Sequence, residues 1–164
     1  MLVATPEALA SLAAPWAKYY SHSKTAATIV TFLHVAPIVV GGGLAITLDR
    51  FTLRIRDDAA ARGRHLEEIA FAHKSVVGGL VVATLSGIAM LLADLDTFLG
   101  SWIFWAKMLL IVALLANGFA MTRVETRLRT GATDLWGRLR VLSMASLVLW
   151  LVITFAGIAL VNAG

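Results

Sequence analysis

Residues 141–162 read VLSMASLVLWLVITFAGIALVN, 22 positions without one charged side chain. An α-helix of that length is about 33 Å long, and the hydrocarbon core of a bilayer is about 30 Å thick. A lone apolar segment in lipid has to satisfy its backbone polar groups within itself, so the stretch reads as a membrane-crossing helix. The same reading applies to three earlier runs, 25–48, 69–93 and 102–121. The sequence therefore predicts an all-α integral membrane four-helix bundle occupying residues 25–162. Residues 1–24 form an outer-side segment with a short interfacial helix, opened by Thr5-Pro6-Glu7 in the manner of an N-cap, a first-turn proline and an acid at the helix start.

Composition narrows the function classes. The chain has 164 residues, of which 59% are hydrophobic and 15% charged, too apolar for a soluble domain of this size. The four spans take about half of the chain and leave little for a separate catalytic domain. There is no cysteine, which excludes disulfides, iron–sulfur clusters and thiolate metal sites.

Charge sets the orientation. Arg50, Arg54, Arg56, Arg62, Arg64 and Lys74 follow span one or open span two, and Arg123, Arg127, Arg129, Arg138 and Arg140 follow span three. Only Lys18 and Lys24 lie on the other side, where Asp94 and Asp96 fill the turn between spans two and three. By the positive-inside rule both termini are expected on the outer, periplasmic side of a bacterial inner membrane, crossed several times. The net charge of +4 is then a topology signature, with loops held to anionic lipid and no role for nucleic acid. Trp16, Tyr19 and Tyr20 precede span one, where aromatic rings settle at headgroup level. Arg64 and Glu68, like Arg123 and Arg127, stand four apart, so both inner connections are expected to prolong their helices. Gly131, followed by Thr133-Asp134, marks a break and restart before span four.

Small residues recur at helical spacing. Pro37, Gly41 and Ala45 in span one are answered by Ser75, Gly79, Ala83 and Gly87 in span two, a pattern that permits close backbone approach or a flat cofactor between helices. Thr84 to Ala89 is echoed by Thr154 to Ala159 in span four, through shared packing needs or a duplicated two-helix unit.

Ionisable residues inside spans are costly and mark candidate sites. His34, on one face with Ile38, Gly41 and Ala45, is the leading one: a haem-iron ligand, a copper or other metal ligand, or a neutral ring bonded to a neighbouring Thr or Ser. His73 lies about 10–15 Å away in depth, too far to share one iron with His34. His22 and His65 fall outside the spans, so two bis-histidine haems cannot be built. A single haem on His34 would take Met108, a partner's group or nothing as its second ligand, and Lys107 could pair with a propionate. The ordinary alternative for Lys107, flanked by Trp102 and Trp105, is to snorkel outward. His73 belongs by position to the wet inner boundary, where Asn117 could bond to it across the bundle. Asp49-Arg50 closes span one with an ion pair or lipid contact.

Other signatures are missing. Gly41-Gly42-Gly43 sits inside a span and cannot cradle phosphate as a nucleotide loop does. There is no HExxH and no activated serine, so hydrolytic and metalloprotease activities are not expected. No carboxylate falls within the four spans as drawn, which counts against a proton-coupled pump.

Phe32-Leu-His34, the glycines that follow, Asp49-Arg50, and Phe104-Trp-Ala-Lys107-Met-Leu-Leu resemble the small, functionally uncharacterised four-helix membrane families of bacteria. More loosely, over about residues 25–121, they are similar to the copper-resistance D-type membrane domain and to small b-type cytochromes. The resemblance implies a four-helix bundle and, in the cytochrome branch, haem b on span histidines; this chain departs from that branch in having too few histidines for two haems. The expectation is thus a haem b protein using His34 for electron transfer or as a redox accessory. Its rival is a non-enzymatic accessory subunit of a larger membrane complex or homo-oligomer, and a copper-handling protein comes third.

Overall fold

The computed structural model describes residues 7–55 and 58–163, and all its regular structure is helical. The Thr5-Pro6 start lies outside the described residues; from Glu7 the chain forms α1 (Glu7–His22). The first long apolar helix runs Lys24–Arg54 as α2 (Lys24–Pro37), a π turn (Ile38–Gly42) and α3 (Gly43–Arg54). Then come α4 (Ala59–Ala93), the short α5 (Leu95–Gly100), α6 (Trp102–Arg129), a 3₁₀ turn (Thr133–Leu135) and α7 (Trp136–Ala163). Four helices are long and apolar enough to cross a membrane, one for each expected span.

The helices start and stop where local chemistry dictates. Ser23 accepts from the Ala26 amide at 3.2 Å, and Asp58 accepts from Ala60 and Ala61 at 2.9 and 3.1 Å, so side-chain oxygens cap α2 and α4. Gly131, at φ 102°, ends the segment after α6 in a conformation that an L side chain resists. Pro37 has no N–H to continue the ladder, and the chain answers with the π turn directly behind it. A π turn carries one residue more than an α turn, which rotates the helix beyond it by about 100°. As a result α2 packs along α4, while α3 leans mainly on α7.

Consecutive helices α6 and α7 pair closely, but α4 and α6 barely touch. One apolar cluster joins Leu114, Trp150 and Ile153 with Ile38, Ala45 and Leu80 at mid-bundle. A second, of Leu66, Val124, Trp136 and Leu139, lies at the arginine-rich end. That end is tied by Arg129, donating to the Leu66 carbonyl, and Arg140, donating to that of Leu53 at 2.6 Å. The opposite end is tied by Trp16, whose Nε1 donates to the Ala89 carbonyl at 2.7 Å and docks α1 on α4.

Apolar residues mostly face outward. In the most apolar stretch of each long helix only 11–22% of positions are buried, and Phe71, Trp102 and Val161 are more than three-quarters exposed. Surface of this kind is far beyond what a water-facing monomer carries. The helices run past the drawn spans chiefly at the arginine-rich end: α4 starts ten residues before 69, α6 runs eight beyond 121, and α7 begins at 136, before 141. The paired charges Arg64/Glu68 and Arg123/Arg127 do lie on these extensions, as their spacing foretold.

Candidate functional site

His34 points from α2 at α4. Its Nδ1 lies 2.8 Å from the Ala83 carbonyl and 3.3 Å from Ser86 Oγ. A carbonyl only accepts, so Nδ1 carries the proton and Nε2 holds the lone pair of the neutral ring. A methyl group built on Gly87 would come within 3.0 Å of His34 Cε1; the glycine leaves the hole that the imidazole fills.

This geometry tests the haem expectation. A ring held through Nδ1–H to a carbonyl has the polarity of a metal ligand. The small-residue faces of α2 and α4, however, meet as backbone. A Cβ on Gly79 would stand 3.2 Å from the Pro37 carbonyl oxygen and 3.9 Å from Gly41 Cα. No slot for a flat macrocycle separates the helices there, and His34, Lys107 and Met108 line neither the cavity between α4 and α6 nor the one beside Glu67 and Phe71. His34, Lys107 and Met108 therefore do not form a fitting haem site. His34 meets α4 at Ala83–Gly87, 10–14 residues beyond His73, which is about 15–21 Å along the helix. Among the described residues no cluster of three or more His, Asp or Glu could hold a metal ion, which bears equally on copper.

Lys107 turns inward. Its Nζ would lie 3.4 Å from a Cβ on Gly157, so the ammonium tucks against α7 and the residue is half-buried. The sequence echo thus has a structural counterpart: Gly87 makes room for His34, and Gly157 for Lys107.

A cavity of about 330 Å³ lies elsewhere, between α4 and α6 toward the arginine-rich end. Exposed Val77 and Phe119 stand at its mouth, and His73, also exposed, lines it from α4. Its floor includes Trp150 and Ser146 of α7 and Asp49 of α3, all buried. Glu125 of α6, also buried, completes it. The rotation imposed by the π turn brings Asp49 to this place, where the hydroxyls of Ser146 and Ser143 face its carboxylate. The expected surface role for Asp49-Arg50 is corrected accordingly: Asp49 is 3% exposed, and Arg50 alone stays outside. The bundle also contains carboxylates after all, because Glu125 lies on the extension of α6 that the drawn span omitted.

Asn117 and His73 line the same cleft without pairing as expected. Asn117 Nδ2 donates to the Leu142 carbonyl at 3.1 Å and contacts Met121 Sδ at 3.5 Å, since α7 is far closer to α6 than α4 is. His65, placed outside the spans by hydropathy, is buried on α4 and bonded to Thr52 Oγ1 at 2.8 Å. Its signal in the sequence was Arg64-His65-Leu66 on a helix extension, too polar to register as interior.

No protein-family model, curated protein or solved structure matches this chain.

Proposed function

We propose that the chain is a multi-pass protein of the inner membrane that binds an amphipathic small molecule in the cleft between α4 and α6. One observation carries this reading: two neighbouring long helices stand apart over a cavity of about 330 Å³ whose apolar walls end on a buried carboxylate. Cavities of this size with a few convergent polar groups are typical small-molecule sites, and gaps between bundle helices are a usual place for them. The outward-facing apolar surface supports insertion in lipid. The arginine excess supports a cytoplasmic location for the end near the cleft, so that the cleft opens sideways toward the inner leaflet. In this reading His34 and the small-residue faces serve helix contact and not redox chemistry.

The test uses 1-bromo-4-neopentylbenzene, an uncharged probe whose bromine quenches tryptophan on contact, with protein in phosphatidylglycerol nanodiscs. The contribution of Trp150 is obtained by difference from Trp150→Phe. Saturable quenching of Trp150 is expected, and Gly118→Leu should abolish it. Gly118 lines the cleft and a Cβ there meets nothing within 4 Å, so the backbone there accepts a side chain at the cleft wall. Non-saturable quenching, equal in Gly118→Leu, overturns the reading. A Soret band lost in His34→Ala would return the sequence-based haem role to the front, and a stoichiometric partner retained in mild detergent would favour the accessory-subunit role.

A further inference from the structure

The floor of the cleft is short of positive charge. Asp49 is 3% exposed and its Oδ2 has no hydrogen-bond partner. Glu125, 6% exposed, is close enough to Asp49 for the two charges to interact. From α6 the one cation acting on Glu125 is Arg129, whose guanidinium also reaches across to the Leu66 carbonyl of α4. From α4 the titratable group is His73, at the exposed rim. From α7 the Ser143 and Ser146 hydroxyls face Asp49, while Arg140 is engaged with the Leu53 carbonyl. Among the described residues, then, Arg129 stands by Glu125 and no cation is shown beside Asp49, and a buried carboxylate without a counter-charge is strongly disfavoured.

Resting on the cleft-binding reading above, we infer that the ligand is an organic cation: an ammonium seated against Asp49, carried on an apolar body that fills the cleft. The walls decide between kinds of cation. A bare metal ion of the calcium or magnesium type asks for about six or more oxygen ligands, whereas the walls of this cavity are mainly apolar, Val76, Leu80, Leu114, Phe119 and Trp150 among them. Apolar and aromatic walls suit the weakly hydrated methyl groups of an alkylammonium, and aromatic faces attract such a cation directly. The unpartnered Oδ2 supplies the charge that an uncharged ligand would leave unmet.

The experiment pairs two probes of one shape, (4-bromobenzyl)trimethylammonium and its carbon isostere 1-bromo-4-neopentylbenzene. Trp150 quenching in nanodiscs is compared at equal mole fraction of each probe in the bilayer. The cation should bind at least tenfold more tightly than the isostere. Asp49→Asn should erase that preference while leaving isostere binding in place, and Glu125→Gln should reduce it. Both variants are checked for wild-type helicity, and retained isostere binding shows that the cleft itself is intact. Equal binding of the two probes by wild type overturns the inference, as does a preference that survives Asp49→Asn, since the amide mimics a protonated acid. In either case saturable isostere binding leaves the cleft reading standing; if neither probe binds, both fall. Adding phosphatidylethanolamine separates two sources of the same chemistry: displacement of the cationic probe identifies a lipid headgroup ammonium, and undiminished binding identifies a free amphipathic amine.

Discussion

The Nδ1 atom of His34 lies 2.8 Å from the carbonyl oxygen of Ala83, and the same imidazole occupies the space that Gly87, one turn further along α4, leaves open. One side chain thus bonds to α4 and fills its surface at the same time. Gly87→Ala would put a methyl group 3.0 Å from Cε1, forcing the ring off its carbonyl. Overpacking of this kind costs about 1–3 kcal/mol. Gly78, on the same helix, meets nothing within 4 Å, so Gly78→Ala should be close to neutral. Unfolding midpoints of the two variants in one detergent check the pair, and equal losses would show that the ring does not use the Gly87 hole.

Gly42 and Trp150 stand in the same relation at mid-bundle. A Cβ on Gly42 would come within 3.0 Å of two carbons of the indole, whereas Gly43, the next residue, faces open space. Because a core aromatic ring is held in place by its packing, Gly42→Ala should displace Trp150 into the cleft it lines and destabilise the protein by about 1–3 kcal/mol. Gly43→Ala should do neither. Tryptophan emission, with Trp150→Phe to assign the signal, separates the two outcomes.

The four long helices were legible because uncharged apolar runs of membrane length have few other readings. Helix ends were less so: hydropathy reports where apolar residues stop, and the helices of this chain continue past that point, with Arg64 and Arg127 still in helical turns. The candidate site was misread for the same reason. Glu125 and His65 lie on those extensions, outside the drawn spans, although both are buried. Asp49 was misjudged through geometry. Counting at 3.6 residues per turn cannot anticipate the extra residue of the π turn behind Pro37, and that residue decides which neighbour Asp49 faces. His34 was found correctly as an interior polar residue, but its partner is a backbone carbonyl, which carries no signature in sequence.

Asn117 tests how much a single interhelical hydrogen bond contributes here. Its amide reaches the Leu142 carbonyl of α7 at 3.1 Å, and bonds of this class between membrane helices average about 0.6 kcal/mol, with a maximum near about 1.7. Asn117→Ala should therefore lower unfolding stability by about 0.6 kcal/mol, within that ceiling. His73→Ala, at an exposed rim position, should change it less, and the effects of the two substitutions should add. Non-additivity in a double-mutant cycle would mean that the two side chains pair across the cleft in the membrane.

Thr52 and His65 make a buried polar contact at the arginine-rich end. Both are buried, and Thr52 Oγ1 lies 2.8 Å from His65 Nε2 and 3.1 Å from the Leu48 carbonyl. The other ring nitrogen, Nδ1, lies 3.5 Å from Glu68 Oε2, so the imidazole bridges the Thr52 hydroxyl and a carboxylate on its own helix. Thr52→Val keeps the shape but removes the oxygen that Nε2 bonds to, at a cost of about 1–3 kcal/mol. Thr52→Ser should recover most of that loss because it restores the oxygen. The accompanying Phe51 and Trp136 ring contacts of His65 should make His65→Leu destabilising by itself. Once Thr52 is Val, the same change should cost less, since the ring has already lost that hydrogen bond. A coupling energy of about 0.5–3 kcal/mol between the two positions is the expected result, and a value indistinguishable from zero would show that the contact does not hold the two helices together.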